Sequence, residues 1–537
     1  MSSVESKHVS PAVRGPGRSA FLVGAGILLS RVVGVVRLRV FSHYFGLQSV
    51  AADAFNAAFR IPNILQNLFG EGVLSASFIP VYASLLARAD KEEADRVAGA
   101  IASLLVLTMS LFVLLGVLAT PLLITLIAPG FEGPQRDLAI RLVRVLFPSI
   151  GLLVLSAWCL GILNSHRKFF LSYAAPVVFN VAMIATLLIF GSRRSQDRLA
   201  EILAWGSVVG SALQLGIQLP VVLRLATHLR LGLGLYSVNV REVVRNFGPV
   251  FIGRGVVQLS AYVDTLLASL LPTGAVTGLF NAQILYTLPV SLFGMSVSAA
   301  ELPVMSSTVG DHQEIAAQLR QRLNAGLRQI AFFIVPSSMG FLTLGDVIAA
   351  ALLQTGRFTH NDAVYVWGIL AGSTVGLLAS TLGRLYASTY YALRDTRTPL
   401  RYAIIRVVLT TALGYAFAIH LPPLLGMNRK WGVAGLTLSA GLAGWAEFIL
   451  LRRTLNRRIG RTGLASSFVM KLWAAAAAGA ALAWAIKFSL APLNPIVASV
   501  LILGPYGFTY FGVTYLFGLP ELHAVVGWLG RYTGRRR

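Results

Sequence analysis

A single cysteine, Cys159 beside Trp158 in an apolar run, excludes any intrachain disulfide and reads as a buried, inert thiol. Acid is scarce too, with 21 Asp+Glu against 45 Lys+Arg and a formal net charge of +24. Charged residues make up only 12% of the chain, about half of what a soluble domain carries. The loops between apolar runs are short, which leaves no sizeable extramembrane region for the carboxylates or metal ligands of a membrane glycosyltransferase or ligase. There is no Cys/His metal spacing, no nucleophile elbow and no phosphate-binding glycine loop, and Gly24 and Gly26 sit mid-helix, where they read as close helix packing. The expectation is a protein that is not an enzyme and needs no cofactor. Residues 1–19 have no apolar h-region or cleavage site and read as a cytoplasmic tail before an uncleaved first helix.

What is present is apolar. Hydrophobic residues reach 56% and the mean hydropathy is +0.72, the composition of an integral membrane protein with many spans. About 20 apolar residues cross a bilayer as helix. Breaks at charged and Gly/Pro-rich points delimit fourteen stretches, near 20–45, 53–87, 97–128, 137–164, 172–190, 199–224, 243–271, 276–308, 322–345, 361–391, 398–420, 431–452, 466–488 and 496–519. The fold expected is all-α, with fourteen transmembrane helices. Twenty-eight loop and tail cations fall on the side of the N-terminus and seven on the other, which by the positive-inside rule puts both termini in the cytoplasm. The basic excess thus reads as topology and attraction to anionic lipid, and nothing suggests nucleic acid.

An internal repeat organises these stretches. Phe55-Asn56-Ala57 returns as Phe280-Asn281-Ala282, 225 residues on, and Gly151-Leu152-Leu153 returns at the same offset as Gly376-Leu377-Leu378. Pro62, Pro80 and Pro176 find partners in Pro289, Pro303 and Pro399 at offsets of 227, 223 and 223. The repeat predicts two pseudo-symmetric six-helix lobes, 20–230 and 241–455, around a central cavity. Two extra helices over 466–519 and a cytoplasmic tail over 520–537 follow. An even number of spans per copy gives the lobes one orientation, suited to rocking about a shared site. Pro62 and Pro289 would kink their helices at matching places, either for packing or as hinges.

Charge within the apolar stretches marks the candidate site. Between Ser30 and Pro80 stand Arg31, Arg37, Arg39, Asp53, Arg60 and Glu71, and each charge at the bilayer centre costs about 2.5–3.5 kcal/mol unless it finds water, a partner or a ligand. An aqueous cationic cavity for an anionic substrate satisfies them. Two plainer readings remain: Arg37 and Arg39 snorkel to an interface, or Asp53 pairs with Arg60 two turns along the same helix.

The motifs Ser30-Arg31-Val32-Val33-Gly34-Val35-Val36-Arg37, Asp53-Ala54-Phe55, Pro62-Asn63-Ile64-Leu65, Glu71-Gly72, Gly356-Arg357-Phe358-Thr359 and Tyr390-Tyr391-Ala392-Leu393-Arg394-Asp395-Thr396-Arg397-Thr398-Pro399 resemble those of the MurJ (MviN) family of lipid II flippases. That family is a branch of the MATE-like multidrug/oligosaccharidyl-lipid/polysaccharide exporter superfamily, and the likeness runs from about residue 20 to 455. The resemblance implies fourteen spans, with a lipid-accommodating groove on the last two. It also implies transport of undecaprenyl-pyrophosphate-linked disaccharide-peptide (lipid II) from the inner to the outer leaflet, with cell-wall synthesis machinery as a further partner. Under it Arg31 and Arg37 contact the pyrophosphate, with Arg60 in the same cationic cavity. Asp53 organises these arginines or gates the cavity, and Glu71-Gly72 helps form the outward gate.

The chain departs from the family pattern at Gln66, Asn67, Gln283, Ile284 and Thr287, where charged residues are common. Arg254 and Arg384 are the expected source of the missing positive charge in the second lobe. Glu301 is expected to pair with a nearby arginine. Coupling is expected from the membrane potential or from Na+, with Asp264 resembling the acid through which some relatives hold sodium and only Thr410 and Thr411 as polar partners on helix eleven. The rival readings are an exporter of another lipid-linked oligosaccharide and a non-transporting scaffold that kept the fold.

Overall fold

The computed structural model describes residues 16–522 apart from 70, 235, 308–310 and 492; within helices it leaves out the side chains of 16–25, 27, 67, 71, 72, 249, 250, 252–261 and 312. Among the described residues the regular structure is helical, with one isolated β-bridge between Thr355 and Phe358. The first half holds α1 (Pro16–Phe45), α2 (Val50–Phe69), α3 (Glu71–Ala87), α4 (Lys91–Leu118), α5 (Thr120–Ile127), α6 (Gly133–Ser165), α7 (Phe169–Phe190) and α8 (Gln196–Leu225). The second holds α9 (Val238–Ser269), α10 (Ala275–Pro289), α11 (Ser296–Ser306), α12 (His312–Leu353), α13 (His360–Thr374), α14 (Leu377–Ala392), α15 (Arg397–Tyr415), α16 (Leu421–Leu424) and α17 (Gly432–Ile459). A closing pair, α18 (Ser466–Ser489) and α19 (Pro495–Leu516), ends the bundle.

Each of the fourteen stretches read from the sequence lies, to within a few residues, on one helix or on consecutive helices. Ten helical units are long and apolar enough to cross a membrane, and α13 with α14, bent by 44° at their junction, makes an eleventh. α2, which carries Asp53 and Arg60 together with Asn56, Asn63 and Gln66, is not among those found over the described residues.

The two prolines expected to act alike do not. Pro62 lies inside α2, which continues as helix to Phe69. Pro289 closes α10 and is followed by a π-helical turn, Val290–Met295, of the kind that relieves a missing i→i−4 bond. Local chemistry sets other ends: Asp311 with Glu314, and Thr359 with Asp362, form capping boxes at the starts of α12 and α13.

One backbone turn recurs at the offset of the repeat. Arg167 and Arg394, 227 residues apart with φ of 58° and 59°, close α6 and α14 with the same pair of turn hydrogen bonds. That pair of bonds also follows α3 at Ala89, α16 at Gly426 and α19 at Gly518, so it is a common helix ending in this chain.

Packing follows the halves, with α1, α2, α4, α6, α7 and α8 together and α10–α17 together. Gly26 is a close-approach position, since a Cβ there would stand 2.8 Å from the Cβ of Tyr173 on α7. The closing pair docks on α12. Pro336 cannot donate to the carbonyl of Phe332, and the Tyr510 hydroxyl donates to that oxygen instead, at 2.5 Å. One turn away the Tyr506 hydroxyl donates to the Pro336 carbonyl at 2.6 Å. Lys487 to Asp346 (2.6 Å) and Arg328 to Glu521 (2.5 Å) tie the two ends of this interface, with Arg328 also over the Phe468 ring. The last two helices thus form a unit with α12 rather than a loose appendage.

Candidate functional site

The halves meet at the end of the bundle where α1 finishes and α2 begins. Asp53, 2% exposed, points both carboxylate oxygens at the start of α10. Oδ2 accepts from Gly274 N at 2.7 Å, and Oδ1 accepts from Thr277 N at 2.8 Å and Thr277 Oγ1 at 2.6 Å. Asn56 Nδ2 adds a bond to Thr277 Oγ1 at 3.1 Å. A carboxylate from one half therefore caps a helix of the other, satisfying its orphan N–H groups and meeting the positive end of its dipole. The cap replaces both other roles considered for Asp53: its described hydrogen bonds go to α10, and none goes to Arg60 or to the arginines of α1. Beside it, Arg39 donates to the Ala351 carbonyl at 2.6 Å, at the C-terminal end of α12, where a cation is favoured. Arg39 is thus a tie between halves and not a snorkelling side chain. His43 Nδ1 lies 2.9 Å from Thr355 Oγ1, and its carbonyl accepts from Arg357 N at 3.0 Å.

Deeper in the bundle lies a group of charges drawn from five helices. Arg60 on α2 donates to Gln283 Oε1 on α10 at 2.8 Å, and the charge of Asp264 on α9 acts on it. Asp264 feels Arg406 on α15 as well, and Arg406 bonds Glu447 on α17 at 3.1 Å. Arg384 on α14 is exposed to solvent, yet Tyr286, Arg406 and Glu447 act on it electrostatically. Arg384 is the most exposed member of this group, the others being half-buried. At Gln283, one departure from the family pattern, a neutral amide accepts the hydrogen bond of Arg60. Ile284 packs against the core, and Thr287 bonds back to the Gln283 carbonyl at 2.7 Å.

Arg37 is placed differently. Its Nη1 lies 3.5 Å from Met183 Sδ on α7, and its guanidinium sits 5.6 Å from the Phe59 ring centroid, at a void of about 20 Å³ lined also by Phe55, Asn56 and Phe280. It is held inside the bundle by sulfur and an aromatic face, with no carboxylate partner among the described residues. Arg31, six residues and about 9 Å along α1, is exposed. Gln66 is half-buried. The side chains of Asn67, Glu71, Gly72 and Arg254 lie outside the described residues. Glu301 makes no ion pair among the described residues, and its buried Oε2 has no hydrogen-bond partner, contrary to the expected arginine pairing.

Sequence reasoning missed Arg406 and Glu447. The signal was available, since each is an ionisable residue inside an apolar stretch. The motif around Asp395 proves structural: its carboxylate takes the Thr398 N–H at 3.0 Å, the Thr398 hydroxyl at 2.7 Å and the Arg458 guanidinium at 2.7 Å. Partial burial pushes this carboxyl up, but those donors outweigh burial and hold it below the ordinary aspartate value.

Comparison with known proteins matches this architecture. The family model "Lipid II flippase MurJ" covers residues 41–504. Among curated relatives, a probable lipid II flippase MurJ of Bdellovibrio bacteriovorus is 30% identical over 82% of both chains. One of Rhizobium tropici is 31% identical over 81% of this chain and 80% of its own. The lipid II flippase MurJ of Burkholderia cenocepacia is 29% identical over 93% of this chain and 97% of its own. Among solved structures, a lipid II flippase MurJ in an inward closed conformation aligns with a TM-score of 0.76 at 23% identity, covering 93% of this chain and 98% of that one. An inward-facing MATE family multidrug transporter of the MOP superfamily aligns with a TM-score of 0.60 at 17% identity, over 82% and 98%. The wider fold is thus that of MOP transporters, and the chain belongs to the lipid II flippase MurJ family.

Proposed function

We infer that the chain moves lipid II from the inner to the outer leaflet of a bacterial cytoplasmic membrane by alternating access, breaking no covalent bond. The observation that carries this is Arg37, a guanidinium inside the bundle whose contacts among the described residues are a thioether and a ring, with no carboxylate. A pyrophosphate supplies the bidentate, charge-assisted partner it lacks. Arg31, Arg60, Arg254 and Arg384 complete the cationic surface for pyrophosphate and peptide carboxylate, across two lobes bounded at 20–230 and 241–455. Family membership favours this cargo over another lipid-linked oligosaccharide and over a scaffold role.

In this reading the fourteen helical units are fourteen crossings, both termini are cytoplasmic as the loop cations favour, and the Asp53 cap shuts the outward side; Glu71-Gly72, beyond the far end of α2 and about 24 Å or more along the helix, belongs to a separate level of the passage. The groove of α18 and α19 takes the lipid tail. An anionic head group crossing a polarised membrane feels about 2.3 kcal/mol per charge per 100 mV, a sufficient drive. Sodium coupling at Asp264 is supported by two buried oxygens without hydrogen-bond partners, Asp264 Oδ1 and Thr410 Oγ1, on the packed helices α9 and α15. Asp264→Asn that transports like wild type across sodium concentrations removes that part. Synthesis enzymes acting on the delivered precursor are the natural protein partners. The decisive experiment depletes the protein and measures lipid II exposed on the outer leaflet. A fall supports the reading, and an unchanged level overturns it.

A further inference from the structure

Above the Asp53 cap lies a cavity of about 450 Å³ with walls from both halves: Phe45, Gly46, Leu47, Gln48 and Gln196 on one side, and Arg357, Asn361, Asp362, Tyr365 and Lys430 among those on the other. Its size is that of a small-molecule site, roughly 300–1,000 Å³. Most of its polar groups are already engaged. Asp362 Oδ2 takes the N–H and hydroxyl of Thr359, the Tyr365 hydroxyl donates to the Lys430 carbonyl, and Gln196 is bonded to Tyr44, Phe45 and Ser49. Two cations are left over. The Arg357 guanidinium and the Lys430 ammonium have no carboxylate partner among the described residues, Lys430 only facing the Trp431 ring at 5.8 Å. The amides of Gln48 and Asn361 are exposed beside them, and Phe45 and Leu47 add apolar wall.

Two cations, two free amides and an apolar wall suit an organic anion with hydrogen-bonding groups along its length better than a bare phosphate. The location adds a consequence. A Cβ on Gly274, whose N–H the Asp53 carboxylate holds, would lie 3.3 Å from both the Leu47 carbonyl and the Gln48 side chain. At the rim the halves touch backbone to backbone, since a Cβ on Gly46 would stand 2.9 Å from the Arg357 carbonyl. The walls face one another only while this end is shut, so a ligand there favours the shut state by its differential affinity.

We propose that this cavity binds the carboxylate end of a short peptide and thereby holds the two halves together at this end. The choice of peptide rests on the lipid II reading, because that head group carries one. The bound species would be a peptide already on the delivery side, acting as a brake on reopening.

The test uses the full chain in nanodiscs with exposed label sites S192C and M427C, the native Cys159 being buried. Soluble muramoyl pentapeptide, the same peptide with an amidated C-terminus, and inorganic pyrophosphate are compared by calorimetry and by label separation. Expected is binding of the free-acid peptide, weakened about tenfold or more by amidation and by R357Q/K430Q, with the short-distance population rising on binding. The proposal is overturned if the peptide does not bind, if the amidated peptide or the double variant binds as tightly, or if pyrophosphate binds and the peptide does not. Lipid II flipping is measured on the same preparations. Flipping without peptide binding sinks this proposal alone, whereas a wild-type protein that never flips sinks the transport reading.

Discussion

Asp53 offers the sharpest quantitative test of how the halves are held. Its carboxylate receives three bonds at 2.6–2.8 Å across the seam, all buried. Hydrogen bonds to a charged acceptor contribute about 1.5–3 kcal/mol each, and loss of a helix N-cap costs about 0.5–2 kcal/mol. These overlap, because the same atoms serve both roles. Asp53→Ala should therefore weaken the shut arrangement by about 3 kcal/mol, a factor of roughly 150 in the equilibrium between shut and open. An end shut about 100-fold over open would become nearly evenly populated. Asp53→Asn keeps an acceptor but loses the charge, and should cost about half as much in free energy, close to tenfold. Paired spin labels at S192C and M427C read the populations directly. Thr277→Val closes a double-mutant cycle, since the Thr277 hydroxyl both donates to Asp53 and accepts from Asn56. If Asp53→Ala leaves the distance distribution unchanged in a folded protein, or the cycle shows no coupling, the carboxylate cap does not hold the end shut.

Three further outcomes follow from the geometry. Glu447→Gln leaves Arg406 without its ion-pair partner near Arg384, so thermal unfolding in detergent should drop further than for the double change R406L/E447L, the order expected when a charge is stranded inside a bundle. Tyr510→Phe strands the Phe332 carbonyl that Pro336 already leaves without a donor, at a cost of about 1–3 kcal/mol; in a Pro336→Ala background the same change should cost measurably less, and equal costs would refute the pairing. Because the folded state holds Asp395 below its ordinary value, it adds stability above the unfolded value near 4 that is lost as pH falls through the lower folded value; the gap in unfolding temperature between wild type and Asp395→Asn should be full at neutral pH and close in acid.

The helices and the repeat were legible because both rest on local pattern: apolar run length sets helical units, and recurring Phe-Asn-Ala and proline anchors set the offset at which the Arg167 turn returns as the Arg394 turn. Arg37, Arg60 and Asp53 stood out as candidates from the cost of charge in an apolar run. Their partners did not. A helix cap is ordinarily supplied three residues away, whereas Asp53 caps a helix whose first residues lie 221 and 224 positions on. Arg60 finds Gln283 and the field of Asp264 rather than Asp53, since the helix that places Asp53 at the seam carries Arg60 two turns deeper. Arg406 and Glu447 were overlooked because attention went to the densest run of charge, although a lone arginine and a lone glutamate in separate apolar stretches can only be accounted for by meeting.

The repeat carries one last implication. Two copies of one chain path that point the same way add their polarity instead of cancelling it, so the duplicated frame already tells one membrane face from the other. What the frame does not tell apart is its two halves, and that is left to the side chains. The first copy presents Arg37 with no carboxylate partner among the described residues and lends Asp53 to its neighbour, while the second ties Arg406 to Glu447 and sets Asp264 against Arg60. Exchanging the charged sets between the copies should therefore trade the roles of the two walls and leave the direction of passage as it was.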